Sequence, residues 1–171
     1  MPSGDATDTD ASDAPDAESD SSASSIQRVL GSLQLPVAGV GALFCLGAAS
    51  TFGSLLGRTP PGDGFVHGGA LLMTYVLTAG GFALFAMGLA IPPGPGVGVR
   101  FRRAQRILFV VAAGAAVASV ILPLAAFPMA LGGDATIVLV AWGVPTAVAI
   151  LCVATGLGWR AAERIRERGA D

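Results

Sequence analysis

The sequence predicts an all-α integral membrane protein with four transmembrane helices in a bundle, led by a disordered acidic N-terminal tail, and three observations carry that prediction. Apolar residues make up 53% of the 171-residue chain and charged residues 13%, about half the charged share of an ordinary soluble domain. The charge is also confined, because no Asp, Glu, Lys or Arg occurs in residues 29–57, 64–99, 107–133 or 135–159. Each of these stretches exceeds the roughly 20 residues an α-helix needs to cross a bilayer. Finally, the arginines alternate between the connections, which fixes an orientation.

Residues 1–25 come first and stand apart. They hold Asp5, Asp8, Asp10, Asp13, Asp16, Glu18 and Asp20 among Ser, Ala, Thr and Pro, with no basic residue. Nothing there offsets the entropy of ordering, so the segment is expected to be a disordered cytoplasmic tail. It lacks the basic start and apolar run of a secretory signal. A solvating role is expected of it, the alternative being an acidic arm for a basic partner. Ile26, Val29, Leu30 and Leu33 then follow at helical spacing. They fit either a short helix lying in the headgroup region or an inward extension of the first span.

The first span is expected at 36–57, entered by Pro36, which suits an opening turn. The second runs over 67–91 and is closed by Pro92, Pro93, Gly94, Pro95 and Gly96. The third covers 106–131 and ends at Gly132 and Gly133; the fourth covers 135–159 and runs on into a basic helix that Gly169 caps. The third and fourth, separated by three residues, form the surest hairpin. In the terminal run, Glu163 is spaced to reach Arg160 or Arg166, and Glu167 to reach Arg164.

Short loops rich in Arg stay cytoplasmic. Arg28, the group Arg100, Arg102, Arg103 and Arg106, and the group Arg160, Arg164, Arg166 and Arg168 share one side under an even number of spans, which leaves Arg58 opposite. Both termini are therefore expected in the cytoplasm, with the protein in the cell membrane. Arg100, Arg102, Arg103 and Arg106 also abut the membrane, where each basic residue near an anionic surface contributes about 1 kcal/mol. They are candidates for anionic-lipid contact, although topology alone accounts for them. The chain has no Lys and no Asn, its basic residues are all Arg, and its exposed acid is mostly Asp. In this composition it resembles proteins of extremely halophilic archaea. Multimolar salt would cut the Debye length to about 3 Å or less and weaken a lipid contact.

Within the spans, small residues recur at four-residue spacing at Ala49, Gly53 and Gly57, at Gly114 and Ala118, and at Ala141, Pro145 and Ala149. Such stripes let helix backbones approach in lipid. Pro123, Pro128 and Pro145 each free a carbonyl, and no polar partner is evident for the breaks. Thr74, Tyr75 and Thr78 form the one polar cluster singled out for mutation. Cys45 and Cys152 have no CxxC or paired-His context and read as apolar filler. His67, with Asp63 and Asp134, reads as part of a solvated loop, since nothing fixes a ligand spacing among them.

Exclusions narrow the function. A proton-coupled carrier keeps a titratable group in the membrane, and the Glu of small multidrug exporters has no counterpart in these spans. One interfacial His cannot provide two haem ligands. The chain lacks GxGxxG, Walker A and HExxH. No catalytic residue, cofactor site, metal site or nucleic-acid partner is expected. Besides the lipid bilayer, the expected partners are a membrane subunit or further copies of the chain. Two readings remain: a non-catalytic membrane subunit or assembly and anchoring factor, and a small oligomeric channel or carrier with a hydroxyl-lined pore.

Overall fold

A computed structural model describes residues 29, 31–57, 65–94, 98–130 and 135–169. The acidic tail at 1–25, Ile26 and Leu30 of the following segment, and the Gly132–Gly133 turn lie outside the described residues. Four helices follow in order: α1 (Gln34–Leu56), α2 (Phe65–Ala90), α3 (Arg103–Ala130) and α4 (Ala135–Arg168). All four are long and apolar enough to cross a membrane. The helix ends fall within three residues of the expected span bounds everywhere but at one end. There α4 continues unbroken through the basic run to Arg168, where the Gly169 N–H bonds the Ile165 carbonyl at 3.1 Å. Of the two ion pairs expected in that run, Glu163 reaches Arg160 at 3.3 Å, whereas Glu167 makes none among the described residues.

Local chemistry accounts for the helix starts. Pro36 sits in the first turn of α1, where its missing N–H costs no intrahelical bond. Arg102 precedes α3, and the Gln105 side chain reaches back so that its Oε1 accepts the Arg102 backbone N–H at 2.9 Å. That is half of a capping box, with Gln in the reciprocating position. Pro92 and Pro93 stop α2 just after its last turn.

The helices pack in series, α1 on α2, α2 on α3 and α3 on α4, with little direct contact between non-consecutive helices. On the α1–α2 face Ala38 lies against Gly88, Gly41 against Phe85 and Cys45 against Gly81. The numbers rise on one helix as they fall on the other, so the pair is antiparallel. A Cβ added at Gly81 would come 2.5 Å from the Cys45 backbone N, closer than real Cβ atoms approach, so glycine sets the interhelical distance at this crossing. The stripe expected on the first span, for packing within one chain or between copies, is not the one used within the chain. Ala49 is exposed, and a Cβ at Gly53 would meet no neighbour. The interface lies nearer the start of α1 because α2 offers Gly81 and Gly88 there.

The α3–α4 pair is antiparallel as well, with Arg102 opposite Glu163 and Phe109 against Gly156. Phe109 is fully buried and meets Phe101 edge-on, ring centroids 5.0 Å apart and planes at 79°. Ala38, Ala86, Leu89, Phe101, Phe109, Ala112, Ala113 and Val153 form the core. All lie toward the end that carries the arginines, the basic end. At the other end the helices leave an apolar cavity of about 490 Å³.

Candidate functional site

Two polar constellations stand out, one halfway along the helices and one at the basic end. Halfway along, Tyr75 of α2 points at the α3–α4 pair. Its hydroxyl lies 2.8 Å from Ser119 Oγ, 3.3 Å from the Ser119 carbonyl oxygen and 3.3 Å from Thr146 Oγ1. Ser119 Oγ donates to the Ala116 carbonyl at 2.7 Å, and Thr146 Oγ1 to the Trp142 carbonyl at 2.8 Å. With both of those protons engaged, Tyr75 is the donor toward Ser119. The Tyr75 ring also packs against Trp142 and Phe52, centroids 5.8 and 6.4 Å away. All four helices thus meet at this one side chain.

The Ser119 carbonyl has a reason to need a partner. Pro123 lies four residues on, has no N–H to give it, and sits inside a continuous α3. The Tyr75 hydroxyl stands beside that freed oxygen. The expectation that the proline breaks carry no polar partner is therefore corrected for Pro123: its partner comes from another helix.

The structure divides the expected cluster of Thr74, Tyr75 and Thr78. Thr74 Oγ1 bonds the Ala70 and Leu71 carbonyls at 2.9 and 3.0 Å, and Thr78 Oγ1 bonds the Thr74 carbonyl at 2.7 Å. Both hydroxyls are satisfied by their own helix. Only Tyr75 reaches across. Its partners Ser119 and Thr146 were visible in the sequence only as isolated hydroxyls on other spans, with no spacing to join them to it. Two spaces flank the node. The apolar cavity is lined by Phe52, Leu72, Tyr75, Pro123, Phe127 and Trp142 among others. The second, of about 110 Å³, is bordered by Tyr75, Thr78, Ser119 and Thr146.

At the basic end, Gln34 organises the connection between α2 and α3. It is 1% exposed. Its Nε2 donates to the Val99 carbonyl at 3.0 Å and its Oε1 accepts the Val99 N–H at 2.9 Å, a two-point clasp equivalent to one rung of a sheet. Neighbouring Gly98 has φ +104°, a conformation that glycine adopts freely; a Cβ there would also collide with Gln34 Oε1. Sequence reasoning passed over Gln34 because a single polar residue at a span boundary looks like ordinary flanking polarity.

The four loop arginines have separate fates. Arg102 Nε lies 2.8 Å from Glu163 Oε1. Arg103 opens α3 and is exposed, and Arg106 is half-buried, with its Nε lacking a hydrogen-bond partner. Arg100 instead lines a cleft of about 360 Å³ together with Arg160 and Arg164 of α4 and with Pro93, Gly94, Gly98 and Val99. Fold proximity thus joins one loop arginine to two from the terminal run. Asp63 and Asp134 lie outside the described residues, and among those described no three His, Cys, Asp or Glu converge on a metal position. No known protein family, curated protein or solved structure matches this chain.

Proposed function

We propose that this chain is a multi-pass integral membrane protein of the cell membrane, with both termini cytoplasmic, that serves as a non-catalytic subunit or an assembly and anchoring factor for partner helices. The observation that carries the reading is the way α1 is held. Among the helices it packs chiefly on α2, with its closest backbone approaches in its first half, and leaves Leu43 and Leu46 74% and 69% exposed. The faces bearing Ala49 and Gly53 stay uncovered. A helix so loosely enclosed by its own chain offers lipid or a partner helix most of its circumference, and small residues on that face favour a helix. The hydroxyls give less support to a pore, since Thr74, Thr78 and Ser119 are bonded to backbone and Tyr75 to Ser119. Arginines of the α2–α3 connection and the end of α4 gather at one end, in keeping with a cytoplasmic placement.

Purification of the C-terminally tagged full chain from its native membrane, in mild detergent and high salt, tests this reading. A stoichiometric second membrane protein is expected. Recovery of a homo-oligomer alone, conducting ions in liposomes and altered in flux by Tyr75→Phe, would overturn it in favour of a channel. A reporter after Asp171 accessible only from outside the cell would reverse the orientation.

A further inference from the structure

We propose that the cleft between the α2–α3 connection and α4 is a binding site for a phosphate-bearing anion, placed to take the headgroup of an anionic phospholipid. Arg100, Arg160 and Arg164 line it together with Gly94 and Gly98. Three guanidiniums around one space repel each other unless an anion sits among them. The carboxylate nearest to hand fills that role for Arg160 only. Glu163 is shared between Arg102 at 2.8 Å and Arg160 at 3.3 Å, with its side chain only 15% exposed. Arg100 and Arg164 are left without an ion pair among the described residues, and Arg160 keeps a buried Nε with no hydrogen-bond partner. Guanidinium forks match phosphate oxygens in geometry as well as charge.

The place of the cleft in the fold favours a lipid source. Arg160 directly follows Trp159 and the end of the charge-free stretch of α4. On the membrane placement proposed above, on which this inference rests, that is headgroup depth. Clefts of this kind, basic pockets between helices on the cytoplasmic side, suit phosphate headgroups. The site also differs from a diffuse basic surface. Arg160 is partly enclosed, so salt screens a contact there less than it screens one at an open loop.

The test uses the purified full chain in neutral detergent, with retained lipid counted by native mass spectrometry after exposure to phosphatidylglycerol or phosphatidylcholine. Wild type should retain one phosphatidylglycerol in preference to phosphatidylcholine. Each guanidinium is worth a factor of about five near an anionic surface, so Arg100→Gln with Arg164→Gln should weaken retention by roughly 25-fold. The variant carrying Arg166→Gln and Arg168→Gln, which removes equal charge away from the cleft, should bind as wild type. A parallel arm measures thermal stability with inorganic phosphate alone. Stabilisation by phosphate that the cleft variant loses, without lipid preference, assigns the same site to a soluble phosphate. Equal losses in both double variants, or no preference for either phosphate source, would overturn the site. Flotation with phosphatidylcholine vesicles reports on the membrane placement independently, and circular dichroism confirms that each variant is folded.

Discussion

Replacing Gln34 by Ala should cost this protein more than any other single polar change at the basic end. The Gln34 amide makes two hydrogen bonds to Val99, at 3.0 and 2.9 Å, from a side chain 1% exposed. A net hydrogen bond is worth about 1 kcal/mol, and a buried peptide group left unpaired costs about 1–3 kcal/mol. Val99 is half-buried, so water recovers part of the second term, and a loss of about 2–3 kcal/mol is expected. Equilibrium unfolding in detergent, followed by far-UV circular dichroism, measures the change, and hydrogen exchange across 98–102 should rise in step. Gln34→Glu sharpens the test. Its carboxylate still accepts the Val99 N–H but sets a second oxygen against the Val99 carbonyl. With no water at this buried position to relieve that repulsion, Gln34→Glu should destabilise at neutral pH at least as much as Gln34→Ala. A Gln34→Ala loss under about 0.5 kcal/mol, within the range of an ordinary surface change, would refute the clasp.

Two further expectations follow from the packing. Gly41→Val, which drives a side chain into the Phe85 backbone, should destabilise the α1–α2 pair by about 1–3 kcal/mol, whereas Gly53→Val, with open space around it, should stay within about 0.5 kcal/mol; equal effects in an unfolding titration would contradict the α1–α2 register. A double-mutant cycle on Tyr75→Phe and Ser119→Ala should give a coupling of about 0.6 kcal/mol, the average for interhelical hydrogen bonds in membranes, and at most about 1.7 kcal/mol, and additivity within about 0.3 kcal/mol would show that the 2.8 Å contact carries no energy.

Much of the fold was legible in the sequence, and the reason is specific. Charge excluded from four stretches marks four helices directly, and Pro92 with Pro93 marks the end of α2 without any tertiary information. What stayed hidden depends on which helix faces which. Thr74, Tyr75 and Thr78 share a helix at spacings that imply a cluster, yet two of them bond backward to their own turn, and Tyr75 finds partners 44 and 71 residues away. The small-residue pattern of α1 fits at Ala49 and Gly53 as well as at Ala38 and Gly41. Only the glycines of α2 decide between them. Gln34 and Gln105 escaped notice for a related reason: each sits at a helix start, where polarity is expected, and its partner is backbone that no side-chain pattern reveals.

The contact between Tyr75 and the Ser119 carbonyl bears on how the chain assembles during synthesis. Within a bilayer there is no water to satisfy the oxygen that Pro123 strands. A third helix inserted alone would carry that exposed dipole in hydrocarbon. The ribosome, however, delivers α2 before α3, so the helix that carries the phenol precedes the proline-containing turn along the chain. Thr146 on α4, the last to emerge, lies 3.3 Å from the same phenol oxygen. The order of the helices along the chain matches the order in which their polar groups require one another.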